Sequence, residues 1–389
     1  MDKVRFGIVG LGNMGTSYLF NMFEAGKIRD GFVTALCDIN PAKIDAVKAK
    51  LERDDVTYFE NYREMLDSGL VDAVMVETPH YIHPEIVIEC LKRGINVICD
   101  KPAGVYAKQV REMNEIARTA KAQFGMMFNQ RTLPHYRKIK DMIASGEIGE
   151  LQRISWIITD WYRTQSYYDG GNWRATWAGE GGGVLINQCP HQIDLISWML
   201  GTQPKYVNAF CHYGKWHDIE VEDDVTAYLE YENGATGTFI TTTGDAPGTN
   251  RLEITGTLGK LVCEGGKLVF HKNECDVKEH CRTATDGFKK PPCEIIEVEC
   301  EGDTSQHVVI INNFIAALRG EEELFATGIS GINGVELMNA MELSGWRGGA
   351  RVAMPPDEDE YLEELNRRRA TSRLKCGIEA GAADTSGSY

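Results

Sequence analysis

Proton abstraction, stabilisation of a forming oxyanion and phosphate binding each have a candidate group in this chain of 389 residues. Asn187, His191 and Asp194 stand at i, i+4 and i+7, a spacing that predicts one face of a helix. Leu195, Ile196 and Met199 would line another face, so the polar stripe would point into a cleft. An imidazole there suits general-base work near neutral pH. Asn187 would hold that imidazole or a substrate hydroxyl, and Asp194 reads as a hydrogen-bond partner rather than a catalyst. Gly181, Gly182 and Gly183, just upstream, permit a close backbone approach. Lys101 lies in Asp100-Lys101-Pro102, where the proline restricts its direction. Aimed at a substrate hydroxyl, it would favour the ionised form. Gly10-Leu11-Gly12-Asn13-Met14-Gly15 has the glycine spacing of a pyrophosphate cradle.

The surrounding elements must place these groups. Phe6–Val9 reads as a buried parallel strand running into Gly10, and Leu19, Met22 and Phe23 follow at helical spacing. That strand–turn–helix context predicts a dinucleotide site, with Gly10 for the turn, Gly12 for the phosphates and Gly15 for close packing. A second strand, Val33–Cys37, ends at Asp38, 23 residues beyond Gly15. A carboxylate there accepts ribose hydroxyls and repels a 2′-phosphate, so NAD is expected over NADP. Asp38 also reads as a helix N-cap. Further strands end at Thr78-Pro79, at Asp100-Lys101 and at Asn129-Gln130-Arg131. Ligands of open α/β sheets lie beyond such strand ends. Thr78, Pro79, Asp100, Lys101, Asn129 and Arg131 are therefore candidate cofactor contacts.

Residues 1–128 alternate strands and helices, an α/β Rossmann-type domain. Residues 129–365 read as an α+β domain with a large, mostly antiparallel open sheet, holding substrate and mediating oligomerisation. Its strands are predicted at 151–159, 206–213, 225–231, 235–243, 251–255, 259–264, 267–271 and 294–298. Residues 366–389 read as a tail, partly disordered. The net charge of −16 argues against a nucleic-acid partner. No apolar run reaches the roughly 18 residues of a membrane span. Eleven cysteines without a framework spacing point to reduced thiols in a cytoplasm. His271, Cys275, His280 and Cys281 match no usual zinc spacing, so no metal is expected.

The glycine turn, Asp100-Lys101-Pro102 and the Gly181–His191 stretch together resemble the glucose–fructose oxidoreductase / inositol dehydrogenase / MocA (Gfo/Idh/MocA) family, to about residue 365. The resemblance implies that Lys101 is the motif lysine and His191 the catalytic acid/base, with Asn187 beside it. It implies that Thr78-Pro79 and His83 form a loop beside the cofactor. Asp100 stands where the family has Glu, and Asn187, which cannot carry charge, where it has Asp. The implied reaction oxidises a secondary hydroxyl of a sugar, cyclitol or glycoside, with hydride passing to NAD. Related enzymes that keep NAD bound, swapping redox between sugars or cleaving glycosides, are a second possibility, and a non-catalytic sensor is a third. Substrate contacts are expected from Lys101, Asn187, His191, Arg131, Trp161, Tyr162, Arg163, Trp173 and Arg174. The aromatic segment 156–177 suggests C3 of a glucosyl unit as the site of oxidation. A homo-oligomer, a dimer, tetramer or larger, is implied.

Overall fold

A computed structural model describes residues 3–373. The chain forms two compact units. Residues up to Asn129 build the first, and Ser305–Val335 returns to it. The second comprises Gln130–Thr304 and the described residues from Glu336 onward. A single division at residue 128 does not anticipate that return.

The first unit holds six strands: β1 (Val4–Val9), β2 (Gly31–Cys37), β3 (Thr57–Phe59), β4 (Ala73–Val76), β5 (Asn96–Cys99) and β6 (Phe124–Met126). Their order is β3-β2-β1-β4-β5-β6, and every pairing is parallel. Parallel strands covered on both faces read as continuous apolar runs, as in Ala73–Val76, which is buried throughout. The order reverses between β1 and β4, so the ends of these two strands flank the crevice of a doubly wound sheet. Short β3 carries too few apolar residues to be legible in the sequence.

The second unit is built on nine strands: β7 (Leu151–Ile158), β8 (Tyr206–Tyr213), β9 (Glu222–Glu230), β10 (Thr236–Thr242), β11 (Asn250–Gly256), β12 (Gly259–Glu264), β13 (Lys267–Asn273), β14 (Cys293–Val298) and β15 (Val352–Ala353). They run in the order β14-β13-β12-β11-β7-β10-β9-β8-β15, and only β7 with β10 is parallel. Alternation in β9 buries Val225, Ala227 and Leu229 and exposes Thr226 and Tyr228. Helices Pro134–Ala144 and Pro190–Leu200 pack together in this unit.

One expectation needs correction. The tail was placed from residue 366, but Asn366–Ala370 belong to the helix Glu358–Ala370. Asp357 caps its first turn, and Arg367, Arg368 and Arg369 suit the negative end of its dipole. The rest of the expected tail, 374–389, lies outside the described residues. Among the described residues no helix is long and apolar enough to cross a membrane, and ten cysteines are free.

Candidate active site

The first unit offers a dinucleotide cradle. Beyond β1 the chain turns at Gly10, whose φ is +100°. A Cβ at Gly15 would collide with the Gly10 carbonyl, so the helix Asn13–Tyr18 sits this close to the turn only with glycine there. A Cβ at Gly12 would meet nothing within 4 Å, which leaves its backbone open to an approaching phosphate. Leu11 is buried, Met14 half-buried and Asn13 exposed along the same turn.

Asp38 follows β2 and is 6 % exposed. Its Oδ2 accepts from Leu11 N at 2.8 Å and its Oδ1 from Asn40 N at 2.9 Å. Oδ1 keeps acceptor capacity for a ribose hydroxyl. Lys43 reaches Oδ2 at 3.3 Å, closer than its sequence distance suggested. The expected N-cap is not Asp38: Asn40 Oδ1 accepts from Ala42 N and caps the helix Pro41–Lys50. Sequence reasoning also passed over Ile39, which is 86 % exposed beside Asp38 and offers apolar surface to a flat base.

Two strand ends carry the chemistry. At the end of β4, both carboxyl oxygens of Glu77 and Thr78 Oγ1 are buried without a hydrogen-bond partner. The oxygens are enclosed even though Glu77 as a residue is only half-buried. Burial pushes the Glu77 carboxyl well above the usual carboxylate range; Asp100 adds to this and Lys101 opposes it. At the end of β5, Asp100 Oδ1 accepts from Lys101 N at 2.8 Å and so shapes the lysine's turn. His83 ties the two ends together. Its Nε2 lies 2.6 Å from the Thr78 carbonyl and its Nδ1 2.8 Å from the Pro102 carbonyl. Burial holds its pKa below the ordinary imidazole value, against the pull of both carbonyls. With a carbonyl against each nitrogen, His83 links the Thr78 and Pro102 backbones, the neutral ring donating to one of them. Pro79 is exposed, and buried Asn129 donates to Gln306 Oε1 at 2.7 Å. The open backbone at Gly12, the Oδ1 acceptor of Asp38 and the orphaned oxygens of Glu77 and Thr78 all fit a dinucleotide.

In the second unit His191 is 8 % exposed, in the first turn of Pro190–Leu200. Asn187 is not on that helix. The helix begins at Pro190, a residue suited to a first helical position, and Asn187 lies in the turns before it. Its Nδ2 donates to Glu180, a buried carboxylate that also accepts from Ala175 N at 2.6 Å. Burial raises the Glu180 pKa, while Arg174 and these donors lower it. Glu180 thus fixes the orientation of the Asn187 amide. The sequence signal was a lone acid seven residues upstream, at the head of the glycine stretch.

Gly183 explains the glycine run. A Cβ there would collide with the Glu222 carbonyl on β9. The Glu222 carboxylate accepts from Gly183 N at 2.8 Å and Leu185 N at 2.9 Å, so it holds the turn that leads to Asn187. Glu342 is buried against Glu222 and also meets Tyr213 OH at 3.3 Å. Burial and the Glu222 charge push Glu342 well above its ordinary value, so the pair shares one proton. Above the unfolded glutamate pKa of about 4.3, the folded chain keeps a proton that the unfolded chain releases, so stability falls as pH rises. Glu342→Gln is expected to flatten the fall in unfolding temperature between about pH 5 and about pH 9. A slope as steep as that of the wild type would show that Glu342 does not hold the proton.

Arg131 and Asp194 form a bidentate ion pair at 2.7 and 2.6 Å, with side chains only 4 % and 2 % exposed. Burial pushes Asp194 up, and Arg131 pulls it down. Arg131 was expected to contact cofactor or substrate, but its fork is committed to Asp194 and its face to Trp198, at 5.7 Å. The segment 159–181 gathers the aromatic and arginine candidates. Arg163 lies 5.6 Å from the Trp161 ring and 5.1 Å from Tyr167, and Arg174 lies 4.6 Å from Tyr167 and 4.8 Å from Trp173. Tyr162 is 49 % exposed outside this stack. Tyr167, the central ring, escaped sequence reasoning, although it stands four residues after Arg163 and seven before Arg174.

Comparison with known proteins agrees with this architecture. Residues 4–128 match the model of an oxidoreductase family with an NAD-binding Rossmann fold, and residues 136–262 match the GFO/IDH/MocA C-terminal domain. The rhizopine catabolism protein MocA of Rhizobium meliloti is 28 % identical over 204 residues, 52 % of this chain and 59 % of MocA. Inositol 2-dehydrogenase of the same species is 24 % identical over 341 residues, 87 % of this chain and 95 % of that protein. The WlbA dehydrogenase of Chromobacterium violaceum, solved with NADH and UDP-GlcNAcA, superposes with a TM-score of 0.77 at 26 % identity, covering 92 % of this chain and 97 % of that one.

Proposed function

The chain belongs to the Gfo/Idh/MocA family of NAD-binding oxidoreductases, and from that premise we propose that it oxidises a secondary hydroxyl of a sugar, cyclitol or glycoside. NAD, when bound, accepts the hydride. The glycine turn at Gly10–Gly15, Asp38, Thr78 and Asp100 would hold it. His191 accepts the hydroxyl proton at its imidazole. Asn187, anchored by Glu180, orients the imidazole or the substrate. Lys101 donates to the substrate oxygen and stabilises its developing charge. The observation that carries this reading is that buried Glu180 holds the Asn187 amide, four residues before His191 in the chain. A finer form places oxidation at C3 of a glucosyl unit, supported by Trp161, Tyr162 and Trp173 as stacking surfaces for a sugar face.

The test is the near-ultraviolet absorbance of NADH, followed on adding sugars, cyclitols and glycosides with and without NAD⁺. Growth that requires added NAD⁺ is expected. Absence of growth across the panel would refute the reading, and myo-inositol turned over far faster than any glucoside would remove the C3 form. The protein assembles through the bare face of its second sheet, where Ile157, Phe210 and Tyr228 are 38, 58 and 41 % exposed. Light scattering should give a multiple of the chain mass, and a monomer would refute this. Its free thiols suit a reducing cytoplasm.

A further inference from the structure

Two arginines in the second unit form no close ion pair among the described residues. They are Arg163 and Arg174, half-buried in a chain of net charge −16. Arg163 donates Nη1 to the Tyr162 carbonyl at 2.9 Å, and its Nε is buried without a partner. Arg174 donates Nη1 to Tyr167 OH at 2.8 Å. Glu180 is the acid near Arg174; it acts on Arg174 through its charge, while its donors are Ala175 N and Asn187 Nδ2.

Both guanidiniums are held in place. Cation–π contacts with Trp161, Tyr167 and Trp173 restrain them. Arg163 N donates to the Thr243 carbonyl at 3.0 Å, and the Arg163 carbonyl meets His217 Nε2 at 2.9 Å. Each guanidinium has donors beyond the Nη1 that the Tyr162 carbonyl or Tyr167 OH accepts. A guanidinium held against aromatic rings suits bidentate binding of a carboxylate or phosphate. Gln188 is an independent sign of a ligand here, because its orphaned oxygen calls for a donor such as a hydroxyl of the same substrate. It is 5 % exposed, its Nε2 lies 3.4 Å from Tyr167 OH, and its Oε1 is buried without a partner. It sits three residues before His191.

We infer that the substrate carries an anionic group, a carboxylate or a phosphate, which Arg163 and Arg174 receive beside Tyr167 and Gln188. The inference rests on the proposed function in taking this unit to hold the substrate. Neutral sugars would forgo the charge-assisted bonds that these half-buried guanidiniums offer, which is how such a site discriminates.

The experiment compares glucose, glucuronate and glucose 6-phosphate, first by quenching of intrinsic tryptophan fluorescence and then by turnover with NAD⁺. At least one acidic sugar should bind about 10- to 100-fold more tightly than glucose, the span of a charge-assisted hydrogen bond. The preferred acid identifies the anion. Arg163→Gln and Arg174→Gln should each remove most of that preference, with the affinity for the acidic sugar falling at least about 10-fold more than that for glucose. Glucose binding as tightly as both acids would overturn the inference, with no variant needed. Equal losses for acidic and neutral sugars in folded variants would also overturn it, because they would mark a structural role. An acidic sugar that binds selectively and is never oxidised would leave this site standing and refute the dehydrogenase. Oxidation of neutral sugars without acidic preference would do the reverse.

Discussion

His191→Ala is expected to lower kcat by about 10²- to 10⁴-fold, the range for a lost general base. NAD binding should be unchanged, because the cradle at Gly10–Gly15 and Asp38 belongs to the other unit. Activity should recover partly at high pH, where hydroxide replaces the missing base. Lys101→Met is expected to lower kcat by about 10²- to 10³-fold, as for a lost oxyanion donor, without recovery at high pH. Fluorescence titration with NADH separates these effects from lost cofactor binding. Full turnover in either variant would remove that residue from the mechanism.

Arg131→Met is expected to destabilise the second unit by about 3–5 kcal/mol, the cost of stranding a buried charge. Asp194 would lose both of its guanidinium donors while remaining 2 % exposed. Its folded pKa would rise further above the usual value, since burial already pushes it up and Arg131 provides the opposing pull. A raised carboxyl pKa confers full stability below the unfolded value of about 3.9 and loses it as pH rises through the folded value. The defect should therefore shrink in acid and grow toward neutrality. Adding Asp194→Leu should recover most of the loss, because an apolar pair of similar volume often replaces a buried ion pair at little cost. Denaturant melts at two pH values check both points. A single variant as stable as the wild type would show that water reaches Asp194.

Local signals made much of this legible. The parallel sheet could be read because fully buried strands are continuous apolar runs, as in Ala73–Val76. The second sheet showed itself by alternation, as in Val225–Tyr228. What stayed hidden was contact between residues far apart in sequence. Nothing near Gly183 announces Glu222, 39 positions away, yet its carboxylate holds the glycine turn. Asn187 was placed on the helix because the i, i+4 and i+7 spacing looks alike whether the helix starts at Pro190 or earlier. Asp38 could serve ribose or cap a helix, and the choice of Asn40 as the cap depended on backbone geometry. Tyr167 was overlooked because a tyrosine between two arginines has no signature until the chain folds both guanidiniums onto its ring.

The most direct test of the central claim follows the transferred atom. An active substrate from the panel, deuterated at the carbinol carbon, is incubated with the protein and NAD⁺. Mass spectrometry then locates the label. Hydride transfer predicts one deuterium in the reduced cofactor for each molecule oxidised. Label found in water, with the reduced cofactor unlabelled, would contradict the account.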